Sequence, residues 1–111
     1  MKVIVNMDDM TKTVKIYSMG EIRSGVSTRT GDPWASREVV LQILDPSHDL
    51  QETLEKVVVN MKASSKERLE EVKLEDKYIV RLRFHASLYD KTKRWYNNIS
   101  VDLSEAKFLK H

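Results

Sequence analysis

The chain has 111 residues, 41% hydrophobic and 32% charged, which suits one domain with a small core. A formal net charge of only +2 means that affinity for a polyanion has to come from local clusters of cations, not from the total. The absence of cysteine excludes disulfides, thiolate metal sites and cysteine nucleophiles, and no apolar run approaches the length of a membrane span.

Residues 1–10 alternate briefly at Val3 and Val5, then turn polar at Asp8 and Asp9. They read as a short extra strand or a loose arm, with too short an apolar stretch for a secretory signal. The expectation is a soluble, cytoplasmic, single-domain protein over residues 1–111. From Thr13 the period is two: Val14, Ile16 and Ile22 share one face with small Ser18 and Gly20 between them, and Tyr17 and Met19 take the other. Gly20 inside the run predicts a bulge or sharp bend, as the first strand of a closed barrel requires.

The next stretch, from Arg23 to Trp34, holds two of the three glycines, one of the two prolines and one of the two tryptophans. Gly25 and Gly31 each predict a reversal through positive φ. Between and beside them stand the hydroxyls of Ser24, Ser27, Thr28 and Thr30 and the guanidinium groups of Arg23 and Arg29. Hydroxyls, arginine and an aromatic on a hairpin tip are what a reader of phosphates and bases needs. A plain solvated hairpin with Trp34 as a lid over the core is the other reading.

Arg37, Val39, Leu41 and Ile43 then alternate with Ser36, Glu38, Val40 and Gln42, a half-buried strand ended by Asp45-Pro46-Ser47. Residues 47–56 fit a short helix capped by Ser47 with Leu50, Leu54 and Val57 on one side, or a long loop. Val57, Val58 and Val59 mark a buried strand. Ser64-Ser65-Lys66-Glu67 is a capping box with Ser64 as N-cap, predicting a helix to about Val72 that buries Leu69 and Val72. Glu75-Asp76-Lys77 reads as a turn. In residues 78–89, Tyr78, Val80, Leu82, Phe84, Ala86 and Leu88 share one face and Ile79, Arg81, Arg83, His85, Ser87 and Tyr89 the other. After the loop Asp90-Lys91-Thr92-Lys93, the last strand puts Trp95, Asn97, Ile99, Val101 and Leu103 on one face, with Arg94, Tyr96, Asn98, Ser100 and Asp102 facing away. The tail, residues 104–111, forms a turn of helix or frays.

Five strands with one short helix between the third and fourth is the order of a mainly-β, OB-fold-like barrel. An open α+β sheet or a small β-sandwich shares that order. Two stretches, Ser24-Gly25-Val26-Ser27-Thr28-Arg29-Thr30-Gly31 followed by Trp34, and Arg94-Trp95-Tyr96-Asn97-Asn98-Ile99, carry a family resemblance. They resemble the signatures of an uncharacterised family of small bacterial and phage proteins similar to single-stranded DNA-binding proteins, over roughly residues 14–103. The resemblance implies an OB barrel and single-strand binding. Bacterial replicative single-strand binders carry a long flexible tail with an acidic tip, whereas this chain ends Phe108-Leu109-Lys110-His111.

An OB barrel binds between its first and last hairpins. The candidate nucleic-acid contacts are therefore Arg23, Arg29, Arg81, Arg83, Lys91, Lys93 and Arg94 for phosphates, and Trp34, Tyr89 and Tyr96 for stacking. Trp95 is assigned to the core with Ile99 and Val101; Tyr17 fits either place, and Arg81 and Arg83 equally fit ion pairs across the sheet. The three histidines are scattered, no carboxylate cluster has ligand spacing, and no phosphate loop or nucleophile elbow is present, so no catalytic residue, metal or cofactor is expected. The expected partner is single-stranded DNA, with RNA as a variant, bound by a homodimer or higher homo-oligomer. An OB-fold protein-interaction module is the competing class.

Overall fold

β-branched and aromatic residues alternating with polar ones set most of this chain into strands, and those strands share one sheet. The computed structural model describes the backbone of residues 2–6, 10–89 and 94–109, and side chains over 10–84 and 98–109. The strands are β1 (Lys2–Asn6), β2 (Met10–Met19), β3 (Arg23–Val26), β4 (Pro33–Asp45), β5 (Gln51–Ala63), β6 (Lys77–Tyr89), β7 (Arg94–Asp102) and β8 (Lys107–Leu109), with one helix, α1 (Lys66–Glu70). Five of them close a ring. β2 pairs with β4, β4 with β5, β7 with β6 and β6 with β2, all antiparallel. A parallel seam between β5 and β7, over Asn60–Lys62 and Ser100–Asp102, completes it. The fold is an OB-fold-like barrel, with its helix between the third and fourth strands of the ring.

The barrel is filled from every wall. Val14 and Ile16 of β2, Val39 and Leu41 of β4, Val59 and Met61 of β5, Val80 and Leu82 of β6 and Val101 of β7 are buried, each stabilising the fold by about 1.5–3 kcal/mol relative to exposure. Leu69 of α1 is completely buried and, with Val72, plugs one end, as the sequence predicts. The cap lies one residue later than expected. Ala63 still pairs with Ala35, and the N-cap is Ser65, whose hydroxyl accepts the Arg68 N–H at 3.4 Å. Glu67 then sits at the second helical position, and the reciprocal half of the predicted capping box does not form.

Other expectations are corrected by pairing between strands. The short-helix reading of residues 47–56 fails: a 3-10 turn over Pro46–His48 and left-handed Asp49 and Leu50 reverse the chain, and β5 begins at Gln51. Leu54 on that strand is fully exposed while Val57 packs on the core, so the two do not share a face. The bulge in β2 lies between Ile16 and Ser18, not at Gly20. It swings Met19 inward, opposite Val39 and against the core, while Tyr17 stays outside. Gly20 lies just beyond the strand, where its N–H donates to the Glu38 carbonyl at 2.8 Å and its carbonyl accepts from the Arg37 guanidinium at 3.0 and 2.6 Å.

A second bulge in β4, between Gln42 and Leu44, buries Ile43 and Leu44 together. The buried Gln42 amide bridges the gap, donating to the carbonyls of Thr53 and Glu55, the latter at 3.2 Å. The N-terminal segment is a strand rather than an arm: β1 pairs with residues 85–89 of β6. Up to residue 109 the tail forms the expected turn of helix and then an unexpected short strand. A 3-10 turn over Leu103–Glu105 leads into β8, which pairs with residues 77–79 of β6 and sets Phe108 edge-on to Tyr78 at 5.3 Å.

Candidate nucleic-acid interface

The hairpin between the first two ring strands is built largely on its own hydrogen bonds. The Ser27 N–H donates to the Asp32 carbonyl and the Gly31 N–H to the Ser27 carbonyl, both at 2.8 Å. The Ser27 hydroxyl accepts from the Arg29 and Thr30 amides at 3.3 and 3.4 Å, and the Thr30 hydroxyl accepts from Asp32 at 3.3 Å. These hydroxyls shape the turn, and the arginines are left to solvent: Arg23 and Arg29 are exposed. Of the two hairpin glycines only Gly31 takes positive φ, at 75°.

Gly25 has a different task from the predicted reversal. It lies in β3, directly across from Trp34. The indole lies so close over it that a Cβ on Gly25 would stand 2.9 Å from Cζ2, 3.1 Å from Cε2 and 3.2 Å from Nε1. Trp34 is 44% exposed and points away from the core, while its neighbour Ala35 is the buried residue. The lid-over-core alternative is therefore not what forms. The indole rests on backbone and presents its remaining surface to solvent, a posture that suits stacking.

From Trp34 the outer face of the barrel runs along β4 through Ser36, Glu38 and Val40. Val40 pairs with Ser18 of β2 on one side and Val58 of β5 on the other. Val57, Val59 and Met61 turn inward, so Lys56, Val58, Asn60 and Lys62 line the outer side of β5. At the far end Tyr17 is half exposed, with the Lys56 ammonium 4.2 Å from its ring centroid. The sequence pattern did not assign Lys56 and Lys62 to a site. The inward register of the valines was the signal, and it becomes usable only when β5 is seen to begin at Gln51.

The structure does not bring all the predicted cations together. Arg81 and Arg83 project from β6, which neighbours neither β4 nor β5 in its pairings, and both approach Glu105, at 3.6 and 2.8 Å. This is an ion-pair arrangement whose acid comes from the 3-10 turn over Leu103–Glu105 rather than from a neighbouring strand, and it is set on a different wall from Trp34. The side chains of Tyr89, Lys91, Lys93, Arg94, Trp95 and Tyr96 lie outside the described residues. The backbone register places Tyr89 opposite Arg94, Leu88 opposite Trp95 and Ser87 opposite Tyr96.

Two polar clusters elsewhere have structural explanations. The Asp45 carboxylate accepts from the Ser47 hydroxyl at 2.6 Å, the Ser47 N–H at 2.9 Å and His48 Nδ1 at 2.8 Å, contacts that hold its carboxyl below the usual range and cap the turn. Lys15 donates to Glu52 and Glu75, tying β2 to the start of β5 and to the turn before β6. Those two carboxylates raise the Lys15 ammonium above its ordinary value, and Lys15 lowers Glu52. Among the described residues no group of three or more His, Asp or Glu side chains is placed to hold a metal ion, and no helix is long and apolar enough to cross a membrane.

The chain is similar to a single-stranded DNA-binding protein. That solved structure is mitochondrial Rim1 from S. cerevisiae, 15% identical, with a TM-score of 0.49 and coverage of 95% of this chain and 98% of that one. No protein-family model matches the chain, and no curated protein matches it. The barrel itself is defined by its strand pairings.

Proposed function

We propose that this protein binds single-stranded nucleic acid, DNA foremost, with little sequence preference, across the outer face of β4 and β5. The observation that carries this reading is Trp34: half exposed, seated on Gly25, beside a hairpin that offers Arg23 and Arg29 to solvent. Stacking on an aromatic face tolerates any base, and flanking cations follow the phosphates. Lys91, Lys93 and Arg94 of the β6–β7 hairpin, with Tyr89 and Tyr96, are proposed to complete the opposite bank of the groove. We assign Arg81 and Arg83 to the Glu105 contact instead. A second copy, joined through the outer edge of β1, would lengthen the groove.

The test is titration of a labelled single-stranded oligonucleotide and its duplex against the protein at several salt concentrations. Single strands should bind better than duplex. If Arg23, Arg29, Lys56 and Lys62 each meet a phosphate, log affinity should fall against log salt with a slope of about −3, from roughly −0.7 per contact. No binding to single strands at low salt refutes the reading. Light scattering across a concentration range tests the dimer, and a monomer mass throughout rejects it.

A further inference from the structure

We infer that Tyr17 and Lys56 form a second base-and-phosphate subsite, separate from Trp34, at the other end of the same face; this rests on the single-strand reading above. Alternation with fully buried Ile16 on β2 is what faces Tyr17 outward, where it remains 50% exposed. The register shift before Ser18 then lets Met19 pack on the core. The ring stands at the end of a low apolar saddle made by Val40 and exposed Val58, in line with Trp34.

Six residue steps along β4 lead from Trp34 to Val40, roughly 20 Å of strand. At about 3.4 Å per nucleotide that distance is some six base steps, fewer for a stretched strand. One nucleotide therefore cannot reach both aromatics, and a strand of modest length can. Lys56 supplies the second half of the subsite. In the free protein its ammonium sits 4.2 Å from the Tyr17 centroid, an attraction of cation to ring face. A base arriving on the ring brings a phosphate within reach of the same flexible side chain. The ligand is thus a nucleobase with its attached phosphate, held by stacking and one mobile cation.

The test compares Tyr17→Leu, Tyr17→Phe, Lys56→Gln, Trp34→Ala and the Tyr17→Leu/Trp34→Ala double variant with the wild type, using labelled oligo(dT) long enough to span the face. Thermal melts select the folded fraction. Tyr17→Leu keeps apolar bulk but removes the π-face, and should weaken binding at least about fivefold, the low end for a lost stack, with the salt slope unchanged. Tyr17→Phe should restore wild-type affinity. Lys56→Gln should reduce the salt slope by about 0.7. Because the aromatics are far apart, the losses from Tyr17→Leu and Trp34→Ala should multiply in the double variant. If Trp34→Ala weakens binding and Tyr17→Leu does not, the second subsite is refuted and the single-strand reading stands. An unchanged salt slope in Lys56→Gln removes Lys56 from it. No binding by the wild type overturns both.

Discussion

Replacing Gly25 with alanine separates stability from binding. In the folded chain the new methyl carbon would stand 2.9 Å from Cζ2 of Trp34, inside the closest normal approach, so the indole has to move. It is free to do so, because Trp34 is 44% exposed and the crowded atoms are at the outer end of a side chain. Gly25 has no positive φ, so alanine meets no backbone strain there. A compatible Gly→Ala change stabilises by about 0.4–1 kcal/mol through the unfolded state, and moving an exposed ring costs about as much. The melting temperature should therefore stay within a few degrees of wild type. Binding should not: a base stack on an aromatic contributes about 1–3 kcal/mol, and tilting the indole off its seat removes a large part of that. The assay is a thermal melt beside a titration of a labelled single-stranded oligonucleotide, repeated in a Trp34→Ala background. There, Gly25→Ala should have no further effect on binding. An early melt with normal affinity in the folded fraction would show that the glycine serves folding rather than the site.

Leu69→Ala should destabilise the fold by about 2–5 kcal/mol in chemical denaturation, because a fully buried residue of α1 would leave a cavity at the barrel end. Gln42→Ala should cost about 1–3 kcal/mol, leaving the bulge-side carbonyls of Thr53 and Glu55 without their amide donor; a wild-type denaturation midpoint would reject that role. Lys15 lowers Glu52, so the stability Glu52 contributes is fully present above its ordinary value of 4.5 and is lost as pH falls through the lowered folded value. Glu52→Gln should thus melt below wild type at neutral pH and converge with it in acid, and a constant gap across pH melts would refute the linkage. Arg81→Ala and Arg83→Ala should leave the salt slope of single-strand binding unchanged, whereas Arg23→Ala and Arg29→Ala should each lower its magnitude by about 0.7.

Much of the barrel was legible in the sequence because alternation is local. Val39, Leu41 and Ile43, and Tyr78, Val80 and Leu82, announce their inward faces from spacing alone, and the order of strands around one helix fits the ring that the β5–β7 seam closes, as it also fits an open sheet or a sandwich. Arg23, Arg29 and Trp34 were identifiable as a group because a single hairpin carries them. Only the tertiary structure decided the rest, since each remaining feature depends on a partner distant in the chain. The register shift at Ile16 and Ser18 is set by pairing with β4; it sends Met19 inward against simple alternation, while Tyr17 keeps the outward place that alternation gives it. Gly25 reads as a turn residue until Trp34 is found across from it. Arg81 and Arg83 fit either phosphate contacts or ion pairs until Glu105, 22 residues beyond Arg83, is folded beside them. A period of two records which way a side chain faces, but not where a strand slips, nor which charge it meets after the ring has closed.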